Sequence, residues 1–154
     1  MADENVFQNN KELNALYKKY GNDFVRTLTN ELIKAGKKAS GALIRSLKAE
    51  IKPVADVINI IIKGEDYLYN VDKGRKKGTY PPISEISKWC SIRGIPETAA
   101  FPIAKNIYKF GIPPTNVIEK SKNIFSGKPV KDLEKGIASI IEKEVAKRLK
   151  NKLK

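Results

Sequence analysis

Arg75, Lys76 and Lys77 stand between Gly74 and Gly78, and Thr79 follows directly. Cations set among glycines can grip phosphate, so the stretch is first tested as a nucleotide loop. That loop requires G-x-x-x-x-G-K-[ST]. Here the glycines are four apart and no lysine precedes the hydroxyl residue. The stretch offers positive charge, not a nucleotide cradle. Glu65 and Asp66 are adjacent, so at a strand end their side chains point apart and cannot flank a substrate. Asp72 and Arg75 could pair across a helix end, which in an exposed position contributes under about 1 kcal/mol. The chain has no histidine and one cysteine, Cys90. This removes the commonest general base, the ordinary zinc sites and the imidazole partner of a serine or cysteine nucleophile. A nuclease working through carboxylates and a metal would need clustered acids, and the acids are scattered. We read no catalytic constellation and expect no enzyme activity, cofactor, metal or small-molecule substrate.

What remains is charge. Lysine and arginine number 30 against 17 acidic residues, a net +13. Such an excess suits a polyanion or an acidic protein, or simply a solvated cationic surface. The charge is spread along the chain, and two stretches of it are candidates for contact. One is Arg75, Lys76 and Lys77, with Tyr80 closing the loop. The other is the C-terminal run Lys147, Arg148, Lys150, Lys152 and Lys154. A cationic helix end also complements the helix dipole, so the second run has a purely structural reading too. No aromatic stacking platform, zinc finger or clear helix-turn-helix accompanies the charge.

The elements that position these residues are read from periodicity. Residues 11–38 repeat Leu13, Leu16, Tyr17, Tyr20, Phe24, Leu28 and Leu32 at helical spacing, with a break expected at Gly21. Residues 42–52 alternate, placing Leu43, Leu47, Ala49 and Ile51 on one side of a strand. Pro53 interrupts, and a β-branched second strand runs from Val54 to Lys63. With both of its faces apolar near the end, the second strand is expected to be central or covered by a neighbour. A hairpin alone is marginal, so helices or another subunit must complete its layer. Helices follow from Tyr67 to Gly74, Pro82 to Arg93, Glu97 to Phe110 and Val117 to Ile124. In the second of these Ile83, Ile86, Trp89 and Cys90 recur at spacings of three and four, so Trp89 is expected to anchor the core beside Cys90, the alternative being a surface tryptophan used as an interface hot spot. An Asn116–Glu119 capping pair would open the fourth. Ser126 to Pro129 is a turn, and Val130–Lys154 forms a long amphipathic helix on Leu133, Ile137, Ile141, Val145 and Leu149.

The fold class is therefore α+β: a long first helix, a small antiparallel hairpin, then helices ending in a basic one. Residues 1–125 form its body, and residues 126–154 belong to that body or extend from it. No stretch approaches the ~18 apolar residues of a membrane span, and the polar start MADENVFQNN is not a secretory signal. The lone cysteine suits a reducing interior.

One ordered pattern resembles a known family. Glu65, Asp66, Tyr67, Val71, Asp72, Gly74, Arg75, Gly78, Pro81, Pro82, Ile83, Ile86 and Trp89 fall in the sequence Y-x-x-x-V-D-x-G-R-x-x-G-x-x-P-P-I-x-x-I-x-x-W. With Ala39–Leu47 before it, and Ala100–Ala104 and Gly111–Asn116 after it, the pattern is similar to the tail-completion and head–tail connector (neck) proteins of tailed bacteriophages. It covers about residues 37–122. The resemblance implies a structural virion protein, assembled in the host cytoplasm, that forms a homo-oligomeric ring of roughly 6 or 12 copies closing by rotation. The ring would join the portal or an adaptor ring to tail proteins and seal the DNA path. Its hairpin and Arg75–Tyr80 loop would be the contact elements, the loop's cations meeting acidic groups of the next ring or the packaged DNA. The alternative from charge alone is a nucleic-acid-binding protein without enzymatic activity.

Overall fold

The computed structural model describes residues 10–37, 41–54, 57–65 and 67–152. Lys38, Ala39, Ser40, Asp66 and Lys154, used in the sequence reading, lie outside these. The architecture is α+β, with a two-stranded antiparallel sheet and long helices near both ends of the described chain. In order come α1 (Lys11–Lys34), α2 (Ala42–Ser46), β1 (Lys48–Val54), β2 (Val57–Lys63), α3 (Leu68–Lys73), α4 (Ile83–Arg93), a 3₁₀ turn (Glu97–Ala99), α5 (Ala100–Phe110), α6 (Val117–Phe125) and α7 (Lys128–Lys152). No helix among the described residues is long and apolar enough to cross a membrane. The chain forms two compact units. One holds residues 1–27, 48–63 and 121–154, and the other 28–47 and 64–120.

In the first unit α1 opens on Asn10, whose side-chain oxygen accepts from the backbone N–H groups of Glu12 and Leu13 at 2.9 and 3.1 Å. This is a side-chain N-cap on two otherwise unpartnered donors. The helix passes Gly21 without the expected break. Gly21 is buried, and a Cβ there would stand 2.7 Å from the Ala49 Cβ and 3.1 Å from the Ile60 Cγ2. The glycine gives up helix propensity so that the helix can lie close on the sheet. Further along, Tyr20 and Phe24 both meet Phe125 edge-on at 5.1 Å, a favoured aromatic geometry. At Gly136 of α7 the Leu16 side chain closes in, 2.9 Å from where a Cβ would be. Leu13 and Phe125 are the buried large apolar side chains of this unit among the described residues.

The hairpin pairs Lys48 with Lys63, Ile51 with Ile60 and Pro53 with Ile58. Pro53 therefore lies inside β1 instead of ending it, as an edge strand allows. Ala49, Ile51, Ile60 and Ile62 fall on the face toward α1. Lys48, Glu50, Lys52, Asn59, Ile61 and Lys63 fall on the other. Of the two expectations for β2, central or covered by a neighbour, the first is not met within this chain. The sheet has two strands among the described residues, and among the described side chains the outer face is polar apart from Ile61, which is 37% exposed.

On that outer face Lys63 Nζ donates to Glu50 Oε1 at 2.7 Å, and Lys52 stands 3.9 Å from the same carboxylate. The hydrogen bond from Lys63 lowers the Glu50 pKa below its ordinary value, with the charges of Lys63 and Lys52 adding to it. A depressed folded-state pKa contributes stability above the unfolded pKa, which is lost as pH falls through the folded one. A carboxyl NMR titration should therefore place Glu50 below the ordinary glutamate value, and Lys63→Met should move it upward. An unchanged midpoint in the variant would show that the pair does not persist in solution.

The second α-helical correction concerns α7. It begins at Lys128, two residues before the expected start, because Pro129 sits in the first turn, where a missing N–H costs nothing. Leu133, Ile137, Ile140 and Ile141 are half-buried as the stripe requires. Val145 and Leu149 are not: they are 50% and 57% exposed.

In the second unit, the residues expected to start a strand, 42–46, instead form the short helix α2, which buries Leu43. Ser46 Oγ then accepts from the Glu65 N–H at 2.9 Å, and Leu47 packs so near Gly64 that a Cβ there would be 2.9 Å from its Cδ2. The core of this unit is Leu28, Leu32, Leu43, Leu47, Cys90, Ala100, Ala104 and Val117. Helix α1 ends on Gly36, with Lys37 N–H donating to Leu32 O. Helix α4 ends on Gly94, with Ile95 N–H donating to Cys90 O. Both are six-to-one C-caps on a left-handed glycine.

Trp89 is corrected. It is 36% exposed, with the Arg93 guanidinium carbon 5.3 Å from its ring centroid. Cys90 and, partly, Ile86 face the interior. One residue along a helix turns the side chain by about 100°, so Trp89 and Cys90 cannot share a face. The core took the smaller one.

Candidate interface loop and its clasp

The Arg75–Tyr80 loop begins where α3 stops at Gly74, whose φ of 72° is open to glycine at little cost. It is tied down by a second chain segment. Arg75 and Ile112 form an antiparallel bridge, exchanging N–H···O bonds of 2.9 and 2.8 Å. Gly78 N–H donates to Tyr108 O at 2.7 Å. Gly111, with φ 75°, faces the carbonyl of Arg75 as closely as Gly74 faces that of Ile112, and neither leaves room for a Cβ. Two glycines on opposite segments thus let two backbones touch. The loop's backbone is held in place while its two lysines face outward.

Side chains complete the clasp. Tyr80 stacks on Tyr108 with ring centroids 4.4 Å apart and planes 14° from parallel. The Arg75 guanidinium donates through Nη2 to Tyr80 O at 3.1 Å, while its Nε is buried with no hydrogen-bond partner. Arg75 is half-buried, whereas Lys76, Lys77 and Tyr80 are exposed. The pairing of Arg75 with Asp72 does not form. Asp72 is 1% exposed and serves the fold. Its Oδ1 accepts from the Ile118 N–H at 2.9 Å, its backbone oxygen accepts from Thr115 and Asn116 at 3.1 and 3.0 Å, and Lys73 Nζ lies 3.2 Å from its Oδ2. Next to it, the Thr115 hydroxyl donates to Val71 O at 2.7 Å. A carboxylate distant in sequence therefore holds the start of α6, where Asn116 adopts a φ of 51°.

The structure brings together Arg75, Lys76, Lys77 and Tyr80 and adds Tyr108, Gly111 and Ile112. The other candidates, Lys147, Arg148, Lys150 and Lys152, lie on α7 in the other unit. All are exposed, and Arg148 Nε donates to Glu144 at 3.3 Å. Sequence reasoning missed Tyr108 and the role of Asp72. The paired signals were Gly74 and Gly111, each just past a helix and each followed by a residue of the bridge. Comparison with known proteins finds no family model, no curated protein and no solved structure that matches the chain.

Proposed function

We propose that this chain is a structural protein of a tailed-phage particle, building a closed ring in the neck or tail-completion region between portal and tail. One observation carries the reading: where the exposed aromatic residues are. Among the described residues every exposed large aromatic lies between Tyr67 and Phe110, with Phe101 59%, Tyr69 68% and Phe110 71% exposed. A surface this rich in aromatic side chains suits burial against another protein. Asp72, Gly74 and Arg75 of the phage-like pattern are accounted for by the clasp. Tyr67, Trp89 and Phe101 are not accounted for by the core, which fits side chains kept for contact between copies. The hairpin supports the same reading, because both of its edges are unpaired among the described residues and can accept a neighbour's strand. Contacts that close a ring are head-to-tail, so different surfaces meet at each joint.

The ring would sit in the virion, meeting the portal or an adaptor ring on one side and tail proteins on the other. Native mass spectrometry and negative-stain images of the purified chain should show closed multimers. Replacing Phe101 and Phe110 with serine should return single copies with unchanged circular dichroism. A chain that stays single-copy at every concentration, and is missing from purified particles, overturns the proposal. The net charge of +13 favours one other reading, a nucleic-acid-binding protein without enzymatic activity.

A further inference from the structure

We propose that the clasped Arg75–Tyr80 loop and the end of α5 together form a docking site for the phosphate backbone of double-stranded DNA. This deepens the ring reading and rests on it for where the duplex would be met, though not for the binding itself.

Charge is the first support. From Lys73 to Ser84 the chain has no acidic residue, and none occurs from Thr98 to Ile118. The Arg75–Ile112 bridge and the Gly78–Tyr108 hydrogen bond join these two stretches. Asp72, at the border, is buried and faces Lys73, so it does not offset the others. Arg75, Lys76, Lys77, Lys105 and Lys109 are left with no ion-pair partner among the described residues. Lys76, Lys77, Lys105 and Lys109 are exposed.

The types of donor are the second support. Phosphate is held by lysine and arginine together with hydroxyls and backbone N–H groups, and Lys76-Lys77-Gly78-Thr79-Tyr80 supplies lysines, hydroxyls and backbone N–H groups in one exposed run. Rigidity is the third. The bridge, the two tight glycines and the tyrosine stack fix the loop before any ligand arrives, which lowers the ordering cost of binding. The stack also favours a duplex over a single strand. Each tyrosine already gives one ring face to the other at 4.4 Å, so the pair is a prop more than a platform for bases. The donors are of the kinds that hold phosphate and not base edges, so the contact should be independent of sequence.

The test is fluorescence anisotropy of the full chain with a labelled duplex of about 20 base pairs, titrated between about 50 and 200 mM salt. Four neutralised phosphates predict a log–log slope of about −3.6, and so roughly a hundredfold loss across that range. Lys76→Glu with Lys77→Glu should weaken binding at least about tenfold and flatten the slope by about 2. Both side chains are exposed, and an unchanged circular dichroism spectrum checks the fold. Glu substitutions at Lys147, Lys150 and Lys152 should leave the slope within about 1.

A flat titration overturns the inference. So does binding that survives the loop variant and disappears with the tail variant. Immobilised polyglutamate that retains the chain to higher salt than the duplex does would overturn it in favour of an acidic protein partner. A single strand of the same length that binds more tightly than the duplex would overturn the choice of ligand. Ring formation is followed on the same samples by native mass. Lost DNA binding with intact rings removes this inference alone. Duplex binding through the loop by a single-copy chain keeps it and removes the ring.

Discussion

Gly74→Ala should cost this protein about 3–5 kcal/mol in urea unfolding, a large part of the stability of an ordinary domain. Three effects combine. The residue sits at φ 72°, where an L side chain costs about 1–2 kcal/mol. The new Cβ would stand against the carbonyl oxygen of Ile112, 2.7 Å from the Pro114 nitrogen and 2.9 Å from the Pro113 carbonyl carbon. All three are backbone atoms, so no side chain can swing aside. Relief requires the Arg75–Ile112 bridge to open, which leaves two backbone pairs to find water. Gly111→Ala should behave alike, because its Cβ would meet the Arg75 carbonyl. Gly78→Ala is the control. Its φ is 97°, but nothing lies within 4 Å of the added carbon, so it should cost about 1–2 kcal/mol. Equal midpoints for Gly74→Ala and Gly78→Ala would mean that the two segments are not in contact in solution.

Asp72→Ala should cost about 2–4 kcal/mol, and Asp72→Asn clearly less. The alanine variant removes the acceptor of the Ile118 N–H at a fully buried position and leaves that donor unsatisfied. It also leaves Lys73 without its carboxylate. Asparagine can still offer an oxygen to Ile118 and forfeits only the charge. Urea midpoints of the three proteins, with hydrogen exchange of the Ile118 amide, would test this. An asparagine variant as unstable as the alanine one would defeat the account of Asp72 as an acceptor at the start of α6.

Some of this was legible beforehand because it depended on neighbours in sequence. The alternation of Ile51, Ile58, Ile60 and Ile62 announced a hairpin, and the pairing bears it out. Glycines marked the ends of α3, α4 and α5 because each takes a positive φ, although at Gly74 and Gly111 the close approach of a distant backbone is a second reason that the sequence did not show. Residues 42–46 read as strand because five residues are too few to show a helical period, and because Leu43 and Leu47 fit either spacing. Trp89 was placed inside because Ile83, Ile86, Trp89 and Cys90 recur at spacings of three and four, but which of two adjacent side chains a helix buries depends on what packs against it. Gly21 looked like a helix breaker, and its reason for being glycine is Ala49, 28 positions later.

By itself, the order of residues determined the α+β class, the glycine-marked ends of α3, α4 and α5, the positive charge and the lack of an imidazole. Each follows from local backbone preference or from simple composition. Only the tertiary structure decided that the basic loop is held rigid by the end of α5, that Asp72 is buried there as an acceptor, and that the large aromatics of the middle segment stay at the surface. Those outcomes depend on contacts between residues tens of positions apart. Such contacts form only when packing brings the segments within hydrogen-bond reach, and no periodicity along the chain encodes them.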